Sequence, residues 1–531
     1  MTGPVVAPSR PPPPSGRRAW LSAGISPTAA AALAIAILAL GWKGSDLPAQ
    51  IFRADLIKRY GFVLWNMQWY GGHPTLDYSV ISPLLGALVG PMALCAVSGL
   101  LSAIMFDRIV RHHFGSAWWI GSLWFAIGTA TNLMVGRVAF AVGIAFGLAT
   151  VLAIQHHLRT LAVVGAVLTS LASPVAGLFV AIVATAWALS ARSRRVPGIV
   201  IAAAACLPIA IVTVLFPDPG PFPYHAWGLV RELSVCALFI FAMRGPYKAW
   251  RWGAVVYAAV VVAAFLVPTA LGGNVSRLGQ YVGAPLIACA LWAQRRHIIV
   301  LMVLPMVLWQ WVPAMSAVAW AGHDPSTDRA YYAPLVAYIE GVPGVPGRVE
   351  IPFTYRHWES AYVAPDVALA RGWERQLDIE RNPIFYDEPS TLNSQSYYQW
   401  LVDNAVEYVA LPNTALDKSA VAERELLQSN PPYLEKVWSN PDWQLWRFDG
   451  YPGMIEGSAT ILGMDADGLR LIVYKPGDLI VRVRPSPHWQ VSGQGCASAD
   501  PSGWTRLENV PTGLVVVSQA VFAETCPSDG G

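Results

Sequence analysis

Charge is what this chain has least of. Asp, Glu, Lys and Arg make up 13% of its 531 residues, against about 25% in soluble domains. The shortfall is concentrated: residues 79–106, 160–191, 196–217, 252–276 and 298–322 contain none of the four. Each stretch reaches the ~20 residues that cross a hydrocarbon core, which excludes a single soluble domain. A net charge of +3 without a dense basic run excludes nucleic acid as a partner. A Walker loop and a Rossmann glycine fingerprint are both missing, so neither of those phosphate cradles is present. Cysteine is sparse. Cys95, Cys206, Cys236 and Cys289 fall in the apolar stretches, where a thiol acts as a small apolar residue. Cys496 and Cys526 fall beyond them. A disulfide between those two is an open alternative that depends on an oxidising compartment.

What charge there is has a pattern. The first 18 residues, with Arg10, Arg17, Arg18 and the run Pro11–Pro14, read as a disordered tail. A first span over about 19–42 is too long for a signal-peptide core and reads as an uncleaved anchor. Cytoplasmic loops carry an excess of Lys and Arg. Under that rule the tail, Arg108 and Arg111, residues 155–159, Arg192 to Arg195, 244–251 and 295–297 lie in the cytoplasm. The loop 43–78 and the turns 132–137, 217–226 and 272–279 then lie outside. About eleven spans end near residue 322 and leave the remainder extracytoplasmic, in a multi-pass plasma-membrane protein. Both ends of 160–191 fall on the cytoplasmic side, and Ser173-Pro174 interrupts its middle, where a regular helix does not continue. Two short spans or a re-entrant hairpin beside a cavity fit that pattern.

After residue 322 charges and turn residues return. Periodicity predicts helices over 331–340, 393–404 and 420–429 and strands over 347–353 and 407–411, an α/β domain spanning 323–449. Short strands over 471–474, 479–483 and 513–517, separated by Gly, Asp and Pro, predict a β-sandwich over 450–531.

The loop 43–78 carries the densest chemistry. Asp46 leaves the first span where a carboxylate is partly desolvated, and suits a base or a metal ligand. Trp65, Trp69 and Tyr70 suit stacking on a sugar, or equally an interfacial aromatic belt. Gly71-Gly72 and Pro74 make a tight turn, and His73 between them is either structural or a ligand for phosphate or metal. Asp55, among Arg53, Lys58 and Arg59, reads as solvated. Arg137 and Arg277 sit at outer span ends, where an arginine is costly unless it has a partner. Their forks match phosphate oxygens; snorkelling or a local ion pair is the alternative. His357-Trp358-Glu359 and the run Arg371 to Gln376 form either a wall over the membrane cavity or a polar dock. Docking is favoured for Arg371 and Arg375, and Glu359 is a second candidate acid or base. Asp324 and Asp328, just after the last span, are lesser candidates of the same kind, or a solvated linker.

An Asp after the first span, then Trp65-Asn66, then Trp69-Tyr70-Gly71-Gly72-His73-Pro74 resembles the first outer loop of YfhO-type bacterial membrane proteins. It is also similar to the membrane family named 6-pyruvoyl-tetrahydropterin-synthase-related, a name that implies no pterin chemistry here. Both resemble the GT-C superfamily of integral membrane glycosyltransferases. Gly136-Arg137-x-x-Phe140, Ser173-Pro174, Gly273-Asn274-x-x-Arg277, Arg348-Val349-Glu350, His357-Trp358-Glu359 and Ala370 to Gln376 resemble a family of large actinobacterial membrane proteins without an assigned activity. The resemblance implies a GT-C-like helical membrane domain over 19–322. It implies a polyprenyl-phosphate sugar donor, a glycan or lipid acceptor in the cell envelope, and Asp46 as catalytic base or metal ligand. Trp65, Trp69, His73, Arg137, Asn274, Arg277, His357 and Glu359 are the expected substrate-binding residues. No Asp-Asp or Asp-x-Asp pair stands at Asp46, so a divalent cation stays an open alternative. Two other classes are in play: a non-catalytic scaffold or lipid-binding protein of envelope assembly, and a transporter supported by span number alone.

Overall fold

The computed structural model describes residues 17–216, 220–243, 247–292, 296–319, 324–387, 391–521, 523 and 526. Residues 1–16 of the expected tail, and Arg244 and Arg295 of the basic loops, lie outside them.

A helical bundle comes first. It runs through α1 (Arg17–Ala39), α2 (Leu47–Tyr60), α3 (Ile81–Val89), α4 (Pro91–Phe114), α5 (Trp118–Val135), α6 (Val138–Gln155), α7 (Arg159–Ala172) and α8 (Pro174–Ser190). It continues through α9 (Arg195–Leu215), α10 (Ala226–Ala242), α11 (Lys248–Leu266), α12 (Ala284–Trp292) and α13 (Arg296–Ala319). Among the described residues four segments are long and apolar enough to cross a membrane: Pro91–Val135, Val138–Gln155, Arg192–Leu215 and Lys248–Leu266. Gly24–Ala39, Arg159–Ala172, Pro174–Ser190 and Leu301–Ser316 are shorter apolar helices. Leu207, Ile211 and Val214 of α9 and Leu301 and Leu304 of α13 are exposed, as side chains facing lipid are. The chain is a multi-pass membrane protein. The buried carboxylate of Asp107 in α4 is paired: it meets Arg111 at 2.5 Å and accepts from Ser122 of α5 at 2.8 Å.

The break predicted at Ser173-Pro174 is present. Ser173 is extended between α7 and α8, and its Oγ accepts from Ala176 N. The free carbonyls that end α7 find partners at the end of the loop after α2 and in the first turn of α3: Val80 N donates to Leu171 O at 2.9 Å, and Ser79 and Ser82 Oγ donate to Ala172 O at 2.7 and 3.1 Å. Helix-end carbonyls buried without such donors would be costly.

A C-terminal body of mixed sheets follows. Its first part holds α14 (Arg329–Glu340), β3 (Arg348–Glu350), α15 (Glu359–Tyr362), α16 (Arg375–Arg381), α17 (Ser394–Asp403), β4 (Val406–Pro412), α18 (Val421–Gln428), β5 (Leu434–Ser439) and β6 (Trp443–Phe448); two short strands of the loop after α2, β1 (Trp65–Asn66) and β2 (His73–Pro74), pair upstream of it. The sheet order is β3-β4-β6-β5, with β3 and β4 parallel and the other pairs antiparallel. Eight further strands are β7 (Ile455–Glu456), β8 (Ala459–Met464), β9 (Leu469–Val473), β10 (Gly477–Val481), β11 (Trp489–Val491), β12 (Cys496–Ala499), β13 (Thr505–Val510) and β14 (Gly513–Gln519). They form two antiparallel sheets, β12-β13-β10-β7 and β11-β14-β9-β8, whose apolar residues Leu471, Val481, Trp489, Leu507 and Val515 share one core. Cys496 and Cys526 are joined as a disulfide. Asp324 and Asp328 are caps rather than free linker carboxylates, accepting from Ser326 N and Ala330 N.

The loop 61–78 is built into this second body. Leu64 N and Trp65 N donate to Gln519 Oε1 at 2.9 and 2.8 Å. Met67 N donates to Ala466 O, Leu369 N to Gln68 O, and Arg484 N to Gly71 O. The loop thus ties the bundle to the sheets that cover one of its ends.

Candidate functional site

Two glycines place Asp46. Asp46 N donates to Val135 O at 2.8 Å, so the start of α2 lies directly on the turn between α5 and α6. A Cβ on Gly44 would fall 2.3 Å from Met134 O, and one on Gly136 would fall 2.5 Å from Leu47 N. Gly136 also has φ +89°, a region that side chains disfavour. This close approach sets Asp46, the residue before α2, beside Arg137, the residue before α6. Arg137 Nε lies 3.6 Å from Asp46 Oδ2, with both side chains partly exposed. Arg277 enters from a third element, between the 3-10 turn Gly272–Ser276 and the single π turn Gly279–Gly283. Its guanidinium sits 5.0 Å from the centre of the Phe140 ring, and among the described residues it has no carboxylate within ion-pair distance. Asn274 of the same 3-10 turn is buried.

These four residues line one cavity of about 810 Å³. Arg53 from α2 lines it too; it pairs with Glu374 at 2.6 Å and lies 4.3 Å from the Tyr78 ring. The covering body contributes Trp373 to Gln376. Trp373 Nε1 donates to Ser45 O at 2.9 Å, clamping that body onto the residue next to Asp46. Away from the charges the lining becomes apolar: Leu171, Leu178, Pro208, Ile209, Val212 and Leu271. Pro208, Ile209 and Val212 belong to α9, whose neighbouring side chains are exposed. The cavity therefore has a charged head and an apolar lane beside the lipid-facing helix. A polar head group and a hydrocarbon tail on one molecule match that division.

Trp65, Trp69, His73, His357 and Glu359, expected as ligands of a substrate, are not among the lining residues, and Trp65, Trp69 and Tyr70 are buried and form no interfacial belt either. Trp65 is buried in the sandwich core. Trp69 is fully buried, stacked on Phe52 at 4.1 Å and packed on Gly372, where a Cβ would come within 2.4 Å of its ring. His73 bonds Asn66 at 3.1 Å; burial first, then Arg53 and Arg381, hold its pKa well below the usual value, so it is a neutral partner. Each is core because the loop is a structural strut. Arg53, which made Asp55 look solvated, is itself buried, while Asp55 stays exposed with Lys58 at 3.4 Å.

His357 lies one layer behind the wall. Its ring stacks on Trp373 with centroids 3.4 Å apart. Its Nε2 is 3.6 Å from Asp417 and its Nδ1 is 3.7 Å from Glu359. Burial pushes His357 down to about 4. Burial alone would raise Asp417, but His357 and the paired guanidinium of Arg375 at 2.9 Å hold it well below the carboxylate range. Glu359 accepts from Thr354 Oγ1 at 2.5 Å, and burial pushes it up to about 8. A raised carboxylate contributes stability that is full below its unfolded pKa and is lost as pH rises through the folded one. For Glu359 that window runs from ~4.5 to about 8. In thermal unfolding of the purified protein, the wild-type midpoint should fall across that window. Glu359→Gln, which carries no charge, should flatten the fall; an unchanged slope would contradict the assignment.

Arg371 and Arg375, expected to dock this body onto the outer loops, instead make their ion pairs within the body itself; Arg375, paired with Asp417 at 2.9 Å, also lines the cavity. Arg371 is fully buried among Asp378, Glu350 and Glu423. The signals that sequence reasoning missed, Arg53 and Tyr78 in the wall and Glu374 as the partner of Arg53, depend on pairs 321 residues apart. Three carboxylates line the cavity, Asp46, Asp77 and Glu374; among the described residues no three His, Cys, Asp or Glu side chains converge there to hold a metal ion, and Asp46 and Glu374 each face an arginine. That donor set does not fit a divalent cation held by protein ligands alone.

No protein-family model matches the chain, and no curated protein matches it. Among solved structures it is similar to ArnT from Cupriavidus metallidurans, in a crystal structure of the apo state. The TM-score is 0.41 and the identity 14%, over 77% of this chain and 94% of that chain.

Proposed function

We propose that this chain is a cell-envelope glycosyltransferase that moves a sugar from a polyprenyl-phosphate donor to the hydroxyl of a glycan or lipid acceptor on the outer face of the membrane. The observation that carries the reading is the single cavity joining Asp46, Arg137 and Arg277 to an apolar lane beside α9. The donor's hydrocarbon lies in the lane and its phosphate at the guanidinium groups. Asp46 takes the proton of the acceptor hydroxyl. The freed oxygen attacks the anomeric carbon, the bond from that carbon to the phosphate oxygen breaks, and the bonding pair leaves with the lipid phosphate. Arg137 and Arg277 meet the charge that grows on that phosphate. Arg137 also orients the Asp46 carboxylate through its 3.6 Å contact. No step needs a metal ion.

This reading needs the cavity and the covering body outside the cytoplasm and Arg192 to Arg195 inside it, as the excess of basic residues in the opposite loops supports. The Cys496–Cys526 bond suits an oxidising compartment. Reporter fusions after Arg195 and after Asp449 should report cytoplasmic and extracytoplasmic positions respectively. In a deletion strain, glycan and lipid profiling should reveal one missing glycosylated envelope species and accumulated lipid-phosphate sugar. A cytoplasmic signal after Asp449, or an unchanged profile, would count against the proposal. One observation favours a second reading, a scaffold that retains the cavity without chemistry: Asp46 already has an arginine partner, as a purely structural carboxylate would.

A further inference from the structure

A second cavity, of about 400 Å³, plays no part in glycosyl transfer. Its mouth is formed by His112 and His113 at the end of α4, Gln155 at the end of α6, His157 in the next turn, and Arg194 before α9. These are the helix ends opposite to those that carry Asp46, Arg137 and Ser173, so the two cavities enter the bundle from opposite sides. Inside, the walls are apolar: Val151, Ile182, Trp187, Phe239, Trp250 and Leu286. The volume lies within the ~300–1,000 Å³ of built ligand sites.

We propose that this cavity holds one acyl chain of an anionic membrane phospholipid, with its phosphate at the mouth. The shape is a largely apolar slot between helices with its guanidinium and imidazoles at the membrane-surface end; the one hydroxyl deeper in the lining, that of Tyr257, is engaged with Val275 O at 2.9 Å. The mouth offers a guanidinium, three imidazoles and an amide, and none of the lining residues is acidic. Gln155 Oε1 is buried without a hydrogen-bond partner; turned about its amide, the same side chain presents an N–H to a phosphate oxygen. Arg194 is braced at the mouth, where it donates to Ser190 Oγ at 3.0 Å and its guanidinium lies 6.0 Å from the Trp187 ring. The helix ends and turns on this side carry Arg108, Arg111, Arg159, Arg192 and Arg195, and basic residues at a membrane surface concentrate anionic lipid. Gly253 keeps the slot open. The nearest atom to a Cβ placed there is Ala186 Cβ at 3.9 Å, so a longer side chain at 253 would occupy the space of the acyl chain.

The test uses full-length protein, purified in detergent and stripped of lipid. Dioleoyl phosphatidylglycerol or dioleoyl phosphatidylcholine is added back, and retention is read by native mass spectrometry. The expected result is one phosphatidylglycerol per chain, held about tenfold or more tightly than phosphatidylcholine. Gly253→Leu should lower that retention about tenfold by filling the slot, and Gln155→Ala with Arg194→Ala should do so by removing the phosphate contacts. Arg277→Gln, in the other cavity, should leave it unchanged, and inorganic phosphate should not displace the lipid. If Gly253→Leu is not monodisperse, the double variant at the mouth decides. Equal retention of the two lipids, wild-type retention by the double variant, or loss of the lipid in Arg277→Gln would overturn the proposal.

Discussion

Asp46→Asn should reduce sugar transfer by ~10²–10⁴-fold, the usual cost of losing a general base, while protein abundance and unfolding temperature stay close to wild type. The substitution keeps the size of the side chain and its capacity to accept from Ser45 Oγ, which lies at 3.2 Å. It removes the proton acceptor and the charge facing Arg137. Asp46 is partly exposed and its ion pair is 3.6 Å long, so the pair adds little to stability. This is why a large loss of rate with little loss of stability separates chemistry from scaffolding. Arg277→Gln should lower the rate as well, by weakening the hold on the leaving phosphate. Asp55→Asn, at the exposed position beside Lys58, should leave it near wild type. Full activity in Asp46→Asn would exclude the base and transfer the weight to the scaffold reading.

The largest expected loss of stability lies elsewhere. Arg371→Leu should destabilise the covering body by ~3–5 kcal/mol, because it strands buried carboxylates without their counter-charge. Arg371 donates to both oxygens of Asp378, at 3.1 and 2.7 Å, and reaches Glu350 and Glu423 at 3.6 Å each. Phe353 and Phe385 stand on its guanidinium at 4.0 Å. Burial pushes Glu350 well up and Glu423 up to about 7, so burial favours the protonated form of both. Asp378 is the partner that loses its counter-charge when the guanidinium is removed. Arg371→Lys keeps the charge but loses the fork that matches a carboxylate, and should fall between. A marked drop in membrane-resident protein, or in the unfolding midpoint in detergent, is the expected result for the leucine substitution. A midpoint equal to wild type would show that the cluster is not what holds this body together.

The bundle was legible because its signal is an absence. Residues 160–191 lack charge and break at Ser173-Pro174, and that alone specifies apolar helices that turn there. The meeting of Asp46, Arg137 and Arg277 was legible for a related reason: helix ends on one side of a membrane converge, and each of these residues is a polar exception at such an end. The aromatic loop was not legible. Trp65 and Trp69 suit a belt, a ligand site or a core, and His73 a ligand or a structural role; what decides is Gln519, 455 residues from Leu64, together with Gly372, which packs on Trp69. His357 misled for the opposite reason. A histidine two residues before Glu359, in a run of polar and aromatic residues, suggests the wall of a site, yet the ring is stacked on Trp373, and only that contact shows it one layer behind the cavity.

The most direct measurement is transfer in a defined system. Purified wild-type protein and Asp46→Asn, matched for amount and monodispersity, are incubated in detergent or nanodiscs with polyprenyl-phosphate sugars labelled in the sugar and with envelope acceptor extract. The account predicts that wild type transfers label from one such donor and releases one polyprenyl phosphate per sugar moved. It predicts that Asp46→Asn leaves donor and acceptor unchanged. Transfer by Asp46→Asn at the wild-type rate would contradict it, as would no transfer by wild type from any polyprenyl-phosphate sugar while Asp46→Asn fully restores the envelope of a deletion strain.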